Sequence, residues 1–349
     1  KTYADIDAFD IEISDEEPEK VVATIQALAP TFGGINIEDI KAPECFYIEK
    51  RLRELLDIPV LHDDQHGTAV TVAAALLNAC TVTGKEIGNI KIVICGAGAA
   101  ATSSATMLLE MGLSKEQITM LDSKGVINTA RNDLNKIKAS FATNSNATTL
   151  SQAINGADAF IGLSRGDILT ESDIKSMSPS PIIFALANPV PEISYKQAKT
   201  VRPDAVVATG RNDNPNQINN LLAFPYLFRG ALDTLSTTIN ETMKIAAAKA
   251  IAAIAQEDTY NGIEKEYGKK FSFGKEYILP KPGDKRLLTN VSSAVALAAM
   301  ESGVARRSIA SFSEYKENLL NRVDNENFFA REYLRHKIGN HSIEREREI

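Results

Sequence analysis

At 349 residues the chain has 38 Lys and Arg against 45 Asp and Glu, a net charge of −7. Its basic residues are scattered rather than gathered into a stripe, which argues against a nucleic-acid face. No apolar run of about 18 residues or more occurs, and the acidic start KTYADIDAFDIEISDEEPEK has no hydrophobic signal core, so neither a membrane span nor export is expected. The length allows two domains. Three cysteines, Cys45, Cys80 and Cys95, form no CxxC pair; an odd number, two of them inside apolar segments, points to a reducing compartment and a cytoplasmic location.

In chain order, a helix is expected over residues 18–29, then a strand ending at Glu38-Asp39. Short Val- and Ile-rich runs follow at 58–61, 90–95, 118–121, 157–163, 182–187 and 205–208, separated by amphipathic segments. Such runs, alternating with helical patterns, predict a parallel sheet covered on both faces, an α/β fold of the Rossmann-like doubly wound kind. Polar motifs come directly after each run: Asp63-Asp64, Gly96-Ala97-Gly98, Asp122, Ser164-Arg165, Asn188-Pro189 and Gly210-Arg211-Asn212. In open parallel sheets ligands bind beyond the carboxyl ends of strands, so all six are expected on one edge. From Asn219 the chain reads as mostly helical, including an alanine-rich stretch over 242–256, and the segment after Ser311 is a charged tail. Residues 1–62 and 220–310 are expected to form a smaller mixed α/β domain on the substrate and metal side, 63–219 the dinucleotide-binding domain, and 311–349 the tail.

The run 90–95 leads into Gly96, Gly98, Ala99 and Ala101 and then a helix over about 100–111. Glycines let the chain turn sharply beside a pyrophosphate, which the helix amides then hold. Asp122 lies about 26 residues beyond Gly96, where an acid accepts hydrogen bonds from the adenosine ribose or simply caps a turn. Lys124 could instead receive a 2′-phosphate, so NAD and NADP both stay open. Glu38-Asp39 and Asp63-Asp64 can converge on one ion only where their strands end and turn. Carboxylate oxygens suit Mg²⁺ or Mn²⁺; the flanking His62 and His66 leave zinc as an alternative. Asn188 and the pair Asn219-Asn220 offer neutral amides to a carboxylate substrate, although Asn before Pro is also an ordinary turn former.

The ordered set FGGINIEDIKAPECF, IPVLHDDQHGTA, GAGAAATS, FALANPVPE and VATGRNDNPNQINNLLAFPYLFRGALD resembles the malic enzymes of the compact prokaryotic type, from about Ala4 to Ser308. The resemblance implies oxidative decarboxylation of L-malate to pyruvate and CO2 with reduction of NAD or NADP, dependent on Mg²⁺ or Mn²⁺, in a homodimer or higher homo-oligomer. It implies Glu38, Asp39 and Asp64 as metal ligands, Asp63 as the catalytic residue that orients the base, and Asn188 and Asn220 at the substrate. Gly96, Gly98, Ala99, Ala101, Asp122 and Lys124 would bind the cofactor, with Ser164 and Asn188 beside them. The family takes its base from a lysine in a stretch like MEGK and its acid from a tyrosine in a stretch like TPG, both upstream of Asp7-Ala8-Phe9, and neither stretch occurs in this sequence. Two alternatives remain: another Rossmann dehydrogenase, of the amino-acid or tetrahydrofolate type, and a non-catalytic nucleotide-binding module.

Overall fold

A computed structural model describes residues 1–14, 17–259 and 261–322. In chain order the elements are α1 (Pro18–Leu28), β1 (Ile35–Ile37), α2 (Glu44–Leu55), β2 (Val60–His62), α3 (Asp63–Thr83), β3 (Ile92–Cys95), α4 (Ala99–Glu110), β4 (Ile118–Asp122) and β5 (Gly125–Val126). They continue with α5 (Lys136–Ser140), α6 (Leu150–Ile154), β6 (Ala159–Gly162), α7 (Glu171–Ser176), β7 (Ile182–Ala185), α8 (Tyr195–Val201) and β8 (Val206–Thr209). Last come α9 (Phe224–Asp233), α10 (Glu241–Gln256), α11 (Asn261–Tyr267) and α12 (Ser292–Glu301).

The fold is α/β. Six strands form one sheet in the order β5-β4-β3-β6-β7-β8, parallel except for the short hairpin strand β5. Every residue of β3, β6, β7 and β8 is buried, which is why these strands read as unbroken apolar runs rather than alternating ones. Each fully buried Val, Leu or Ile contributes about 1.5–3 kcal/mol relative to exposure. The strand order reverses between β3 and β6, which places a crevice beyond Cys95 and Gly162.

One expectation is corrected. The run at 58–61 supplies β2, but β2 pairs in parallel with β1 in a separate two-stranded sheet. Only five of the six polar motifs therefore end strands of the large sheet. A buried apolar run does not encode which sheet it joins, because both sheets offer the same ladder and the same dry faces.

The apolar core is divided among several clusters. Val21, Val22, Ile25, Ile37, Ile48, Leu52 and Val60 form a cluster of their own around α1, α2 and the small sheet. Helices α9, α10 and α12 instead share one continuous core with α3, α4 and one face of the large sheet, through Leu227, Ile251, Val295, Leu76, Leu108 and Ile94. The helices after Asn219 thus share a core with the large sheet and also touch the N-terminal segment, where Arg229 Nη1 donates to Asp5 O at 3.0 Å and Arg53 Nη2 to Ile239 O at 3.3 Å. Helix α3 is apolar and long enough by composition to cross a membrane, yet 67% of that stretch is buried inside the molecule, where it is the central helix. Of the charged tail, residues 312–322 are helical, and 323–349 lie outside the described residues.

Candidate active site

Strands β1 and β2 pair with Ile37 opposite His62, so Glu38 and Asp63 leave the small sheet side by side. Asp39 then turns the chain with φ +56°, and its N–H donates to Asp64 Oδ2 at 3.1 Å. Asp63 and Asp64 open α3, where the helix dipole favours negative charge. Glu38 Oε2 accepts from Asn36 Nδ2 at 2.7 Å.

Asp63 is the most perturbed of the four. It is 1% exposed; its Oδ2 accepts from Asn220 Nδ2, while Oδ1 is buried without a hydrogen-bond partner. Burial, followed by the charges of Glu38 and Asp64, pushes its pKa up to about 8. Glu38 is raised too, by burial first and then by Asp64 and Asp39. The carboxylates destabilise one another's charged forms, which is the electrostatic signature of a place that favours a cation. Among the described residues, however, no three His, Cys, Asp or Glu side chains are gathered closely enough to hold one ion as they stand.

Space at this corner is set by Gly67. A Cβ there would lie 2.0 Å from Asp63 Oδ1 and 2.9 Å from Asn220 Cβ, so the glycine in HDDQHGTA is the room Asp63 occupies. The tandem asparagines divide their work: Asn219 Oδ1 caps the following 3-10 turn by accepting from Leu221 N–H at 2.8 Å, whereas Asn220 faces Asp63. The two flanking histidines differ as well. His66 is committed to a buried polar chain, with Nε2 at 2.6 Å from Glu49 Oε1 and Nδ1 at 3.1 Å from Lys244 Nζ. His62 is fully buried, and both its ring nitrogens lack hydrogen-bond partners.

The second half of the site lies at the crevice. Gly96 has φ +134° and a Cβ there would meet Leu163 O at 2.4 Å, so only glycine makes this turn. Ala101, 1% exposed, packs beneath it, 3.3 Å from that Cβ position. At Gly98 nothing lies within 4 Å of the point a Cβ would occupy, and α4 starts at Ala99 with no side-chain cap. By contrast Thr149, Thr170 and Ser194 each cap their helices α6, α7 and α8. An uncapped helix N-terminus of this kind can receive an anion.

Beside them, Ser164 N–H donates to Glu192 Oε1 at 3.1 Å, and Ala187 N–H to Glu192 Oε2 at 3.0 Å. Glu192 is fully buried and lies where a Cβ on Gly162 would be, 2.3 Å from its carboxyl carbon. It ties the loops after β6 and β7 together. Asn188 is exposed and rests 3.2 Å from the Cβ position of Gly210, on the loop after β8. Sequence reasoning missed Glu192; the signal was an acid just after the turn-forming Asn188-Pro189.

Asp122 ends β4 as expected, but its surroundings are not those of a free acceptor. Arg131 grips it with two bonds, Nη1 to Oδ1 at 2.8 Å and Nη2 to Oδ2 at 3.0 Å, and Lys138 Nζ reaches Oδ2 at 2.7 Å. Burial opposes its charge, yet these cations hold its carboxyl well below the usual carboxylate range. Lys124 lends its N–H to Asp122 Oδ1 at 3.0 Å and its exposed ammonium to Asp133 at 2.6 Å. Arg131 and Lys138 also went unnoticed in the sequence.

A doubly wound sheet with a glycine turn, an uncapped helix and a buried acid pair at its edge defines the class of dinucleotide-binding proteins with a second, carboxylate-lined site. The chain belongs to the malic enzyme family: the model for the malic enzyme NAD binding domain matches residues 65–264, and that for the malic enzyme N-terminal domain matches 9–53. It is 50% identical to the NADP-dependent malic enzyme of Salmonella typhimurium over 94% of this chain and 44% of that protein. It is 49% identical to the NAD-dependent malic enzyme of Rhizobium meliloti over 91% of this chain and 42% of that one. The chain thus spans less than half the length of these two relatives. The crystal structure of malic enzyme from Pyrococcus horikoshii superposes with a TM-score of 0.86 at 39% identity, covering 94% of this chain and 75% of that one.

Proposed function

We propose that the chain serves the oxidative decarboxylation of L-malate to pyruvate and CO2, with reduction of NAD(P)+ and dependence on a divalent ion. The observation that carries this reading is Asp63: a buried carboxylate with one unpartnered oxygen, hemmed by Glu38 and Asp64 and held by Asn220 from the far side of the site. The names of the similar proteins support it. Glu38, Asp39 and Asp64 would hold Mg²⁺ or Mn²⁺ through hard carboxylate oxygens, and the mutual raising of Glu38 and Asp63 fits a cation there. When bound, such an ion polarises the forming carbonyl and accepts electron density as CO2 leaves.

The chain's own residues have distinct tasks in this reading. The hydroxyl proton of malate passes to a base, its neighbouring hydride to the nicotinamide ring, and the resulting 2-oxo acid loses CO2 and is reprotonated as pyruvate. Asp63 orients the base through its free Oδ1, Asn220 fixes Asp63, and Asn188 and Asn220 present amides to the substrate carboxylates. Gly96, Gly98, Ala99 and Ala101 receive the pyrophosphate. A cytoplasmic setting belongs to the same reading, supported by three free, buried cysteines.

The test combines malate-dependent NAD(P)+ reduction with direct Mn²⁺ and cofactor binding. Asp64→Ala is expected to weaken Mn²⁺ binding and turnover about tenfold or more, with NADPH affinity within about twofold of the parent. Equal loss of both affinities would mark a folding defect and count against a ligand role. Turnover without any divalent ion would favour the amino-acid or tetrahydrofolate type of dehydrogenase.

A further inference from the structure

Strand β2 runs Val60–Leu61–His62 with every residue buried, and side chains two apart on a strand share a face. His62 therefore stands on the face of Val60, which belongs to the small apolar cluster around α1, α2 and the two-stranded sheet. It is fully enclosed, and neither Nδ1 nor Nε2 has a hydrogen-bond partner. A neutral imidazole carries one donor and one acceptor. Burying both unpaired is unfavourable where Leu or Val would pack without that loss, so packing alone gives no reason for a histidine here.

The polar group that the ring approaches is Asp64. His62 Nδ1 stands 3.9 Å from Asp64 Oδ2, just beyond hydrogen-bond reach. Oδ2 is also the oxygen that accepts from the Asp39 N–H at 3.1 Å, so both groups address one oxygen and leave Oδ1 for another partner. The Asp64 side chain is 43% exposed, so it can turn while the enclosed ring stays fixed. A carboxylate that binds an ion is oriented by hydrogen bonds from donors behind it. Glu38 already has such a donor in Asn36 Nδ2, 2.7 Å from its Oε2. For Asp64 the Asp39 N–H is one, and the His62 ring, carried on a strand, is a second.

We propose that His62 is a positioning residue for the divalent-ion site: its Nδ1–H closes on Asp64 Oδ2, holds that carboxylate with Oδ1 left for the ion, and so sets ion affinity without touching the ion. The inference rests on the metal reading of Glu38, Asp39 and Asp64 given above. It assigns the effect to one ring atom. Counted in bonds from Cα, the amide nitrogen of Asn falls where Nδ1 stands and that of Gln where Nε2 stands. The two amides therefore separate the two edges of the ring.

The experiment is Mn²⁺ titration of the 349-residue chain, followed by the electron paramagnetic resonance signal of free Mn²⁺, with NADPH titration and urea unfolding alongside. None of these needs turnover. His62→Leu is expected to weaken Mn²⁺ binding about tenfold, with NADPH affinity within about twofold of the parent. Its unfolding midpoint should be no lower, because two unpaired polar atoms leave an apolar place. His62→Asn should keep Mn²⁺ affinity within about twofold of the parent, whereas His62→Gln should fall with the leucine variant. This pair makes the same contrast at equal polarity, so it decides even where leucine disturbs the fold. Combined with Asp64→Ala, His62→Leu should add no further loss, since it acts through that carboxylate. Unchanged Mn²⁺ binding in His62→Leu, rescue by Gln as good as by Asn, or a loss that adds to that of Asp64→Ala would overturn the inference and leave the metal reading standing. So would Mn²⁺ and NADPH affinities that fall together. A parent chain that binds no Mn²⁺ would overturn both.

Discussion

Replacing Gly67 by Ala separates two opposed effects whose signs are known. A glycine inside a helix costs about 1 kcal/mol relative to alanine, so at an ordinary position of a long helix such as α3 the change would stabilise. At Gly67 the new Cβ would lie 2.0 Å from Asp63 Oδ1, 3.1 Å from Asp63 Cγ and 2.9 Å from Asn220 Cβ. Asp63 is 1% exposed and has nowhere dry to turn, so relieving the overlap breaks its bond to Asn220. Losing a hydrogen bond so that a buried polar group is left unsatisfied costs about 1–3 kcal/mol, and overpacking a filled site adds about 1–3 kcal/mol. The net expectation is destabilisation on the order of 2–4 kcal/mol. Urea unfolding at unchanged slope measures it through the midpoint. NADPH affinity should stay close to that of the parent, because Asp63 does not touch the Gly96 turn. A variant more stable by about 1 kcal/mol would mean that helix propensity alone acts at residue 67, and the close coupling of Asp63 to Asn220 would be wrong.

At Gly98 the opposite split is expected. With ordinary φ and nothing within 4 Å of its Cβ position, Gly98→Ala should leave the unfolding midpoint unchanged but lower cofactor affinity about tenfold, since the methyl stands where the pyrophosphate approaches; unchanged titration curves would refute that placement. Glu192→Gln keeps the shape but offers one carbonyl to two donors, the N–H groups of Ser164 and Ala187, and should cost about 1–3 kcal/mol of stability, read by denaturation alongside a weaker cofactor titration. The Asp122 clamp sets an acid limb. Its folded carboxyl lies well below the usual range, so its contribution is complete above the unfolded value of about 3.9 and drains away as pH falls toward the folded one. Arg131→Gln should flatten stability against pH in that acid window and leave the neutral region sloping as before.

Much of the fold was legible because its signals are local. The runs at 90–95, 118–121, 182–187 and 205–208 each became a strand within two residues at either end, since a parallel strand buried on both faces needs an unbroken apolar segment. The turn at Gly96 was legible for a similar reason: φ +134° and the approach of Leu163 O admit only glycine. What could not be read was partnership. Nothing in the run at 58–61 says that β1 rather than β8 lies beside it, and α10 reads as alanine-rich whether it covers the small sheet or the large one. The Asp122 clamp was hidden because Arg131 and Lys138 come from irregular chain after the β4–β5 hairpin, where no periodicity marks which face a side chain takes. The tandem Asn219-Asn220 could not be divided by sequence between helix cap and Asp63 partner.

The two halves of the site are joined by one helix. Helix α3 begins with the acid pair, and its next residue, Gln65, accepts from Ser103 Oγ of α4 at 3.4 Å. Ala69, Val70, Val72, Ala73 and Leu76 then bury its length in the same core as Ala101, Ala105 and Leu108 of α4. Small side chains along both helices let their backbones pack closely, and a close-packed interface transmits displacement rather than absorbing it. The distance between the carboxylates at the head of α3 and the uncapped N-terminus of α4 is therefore set by dry packing instead of by a loop. Transfer between two bound molecules depends on holding their reacting atoms at near-contact distance. In the proposed reaction the alanines of α3 would keep the substrate side and the cofactor side in register.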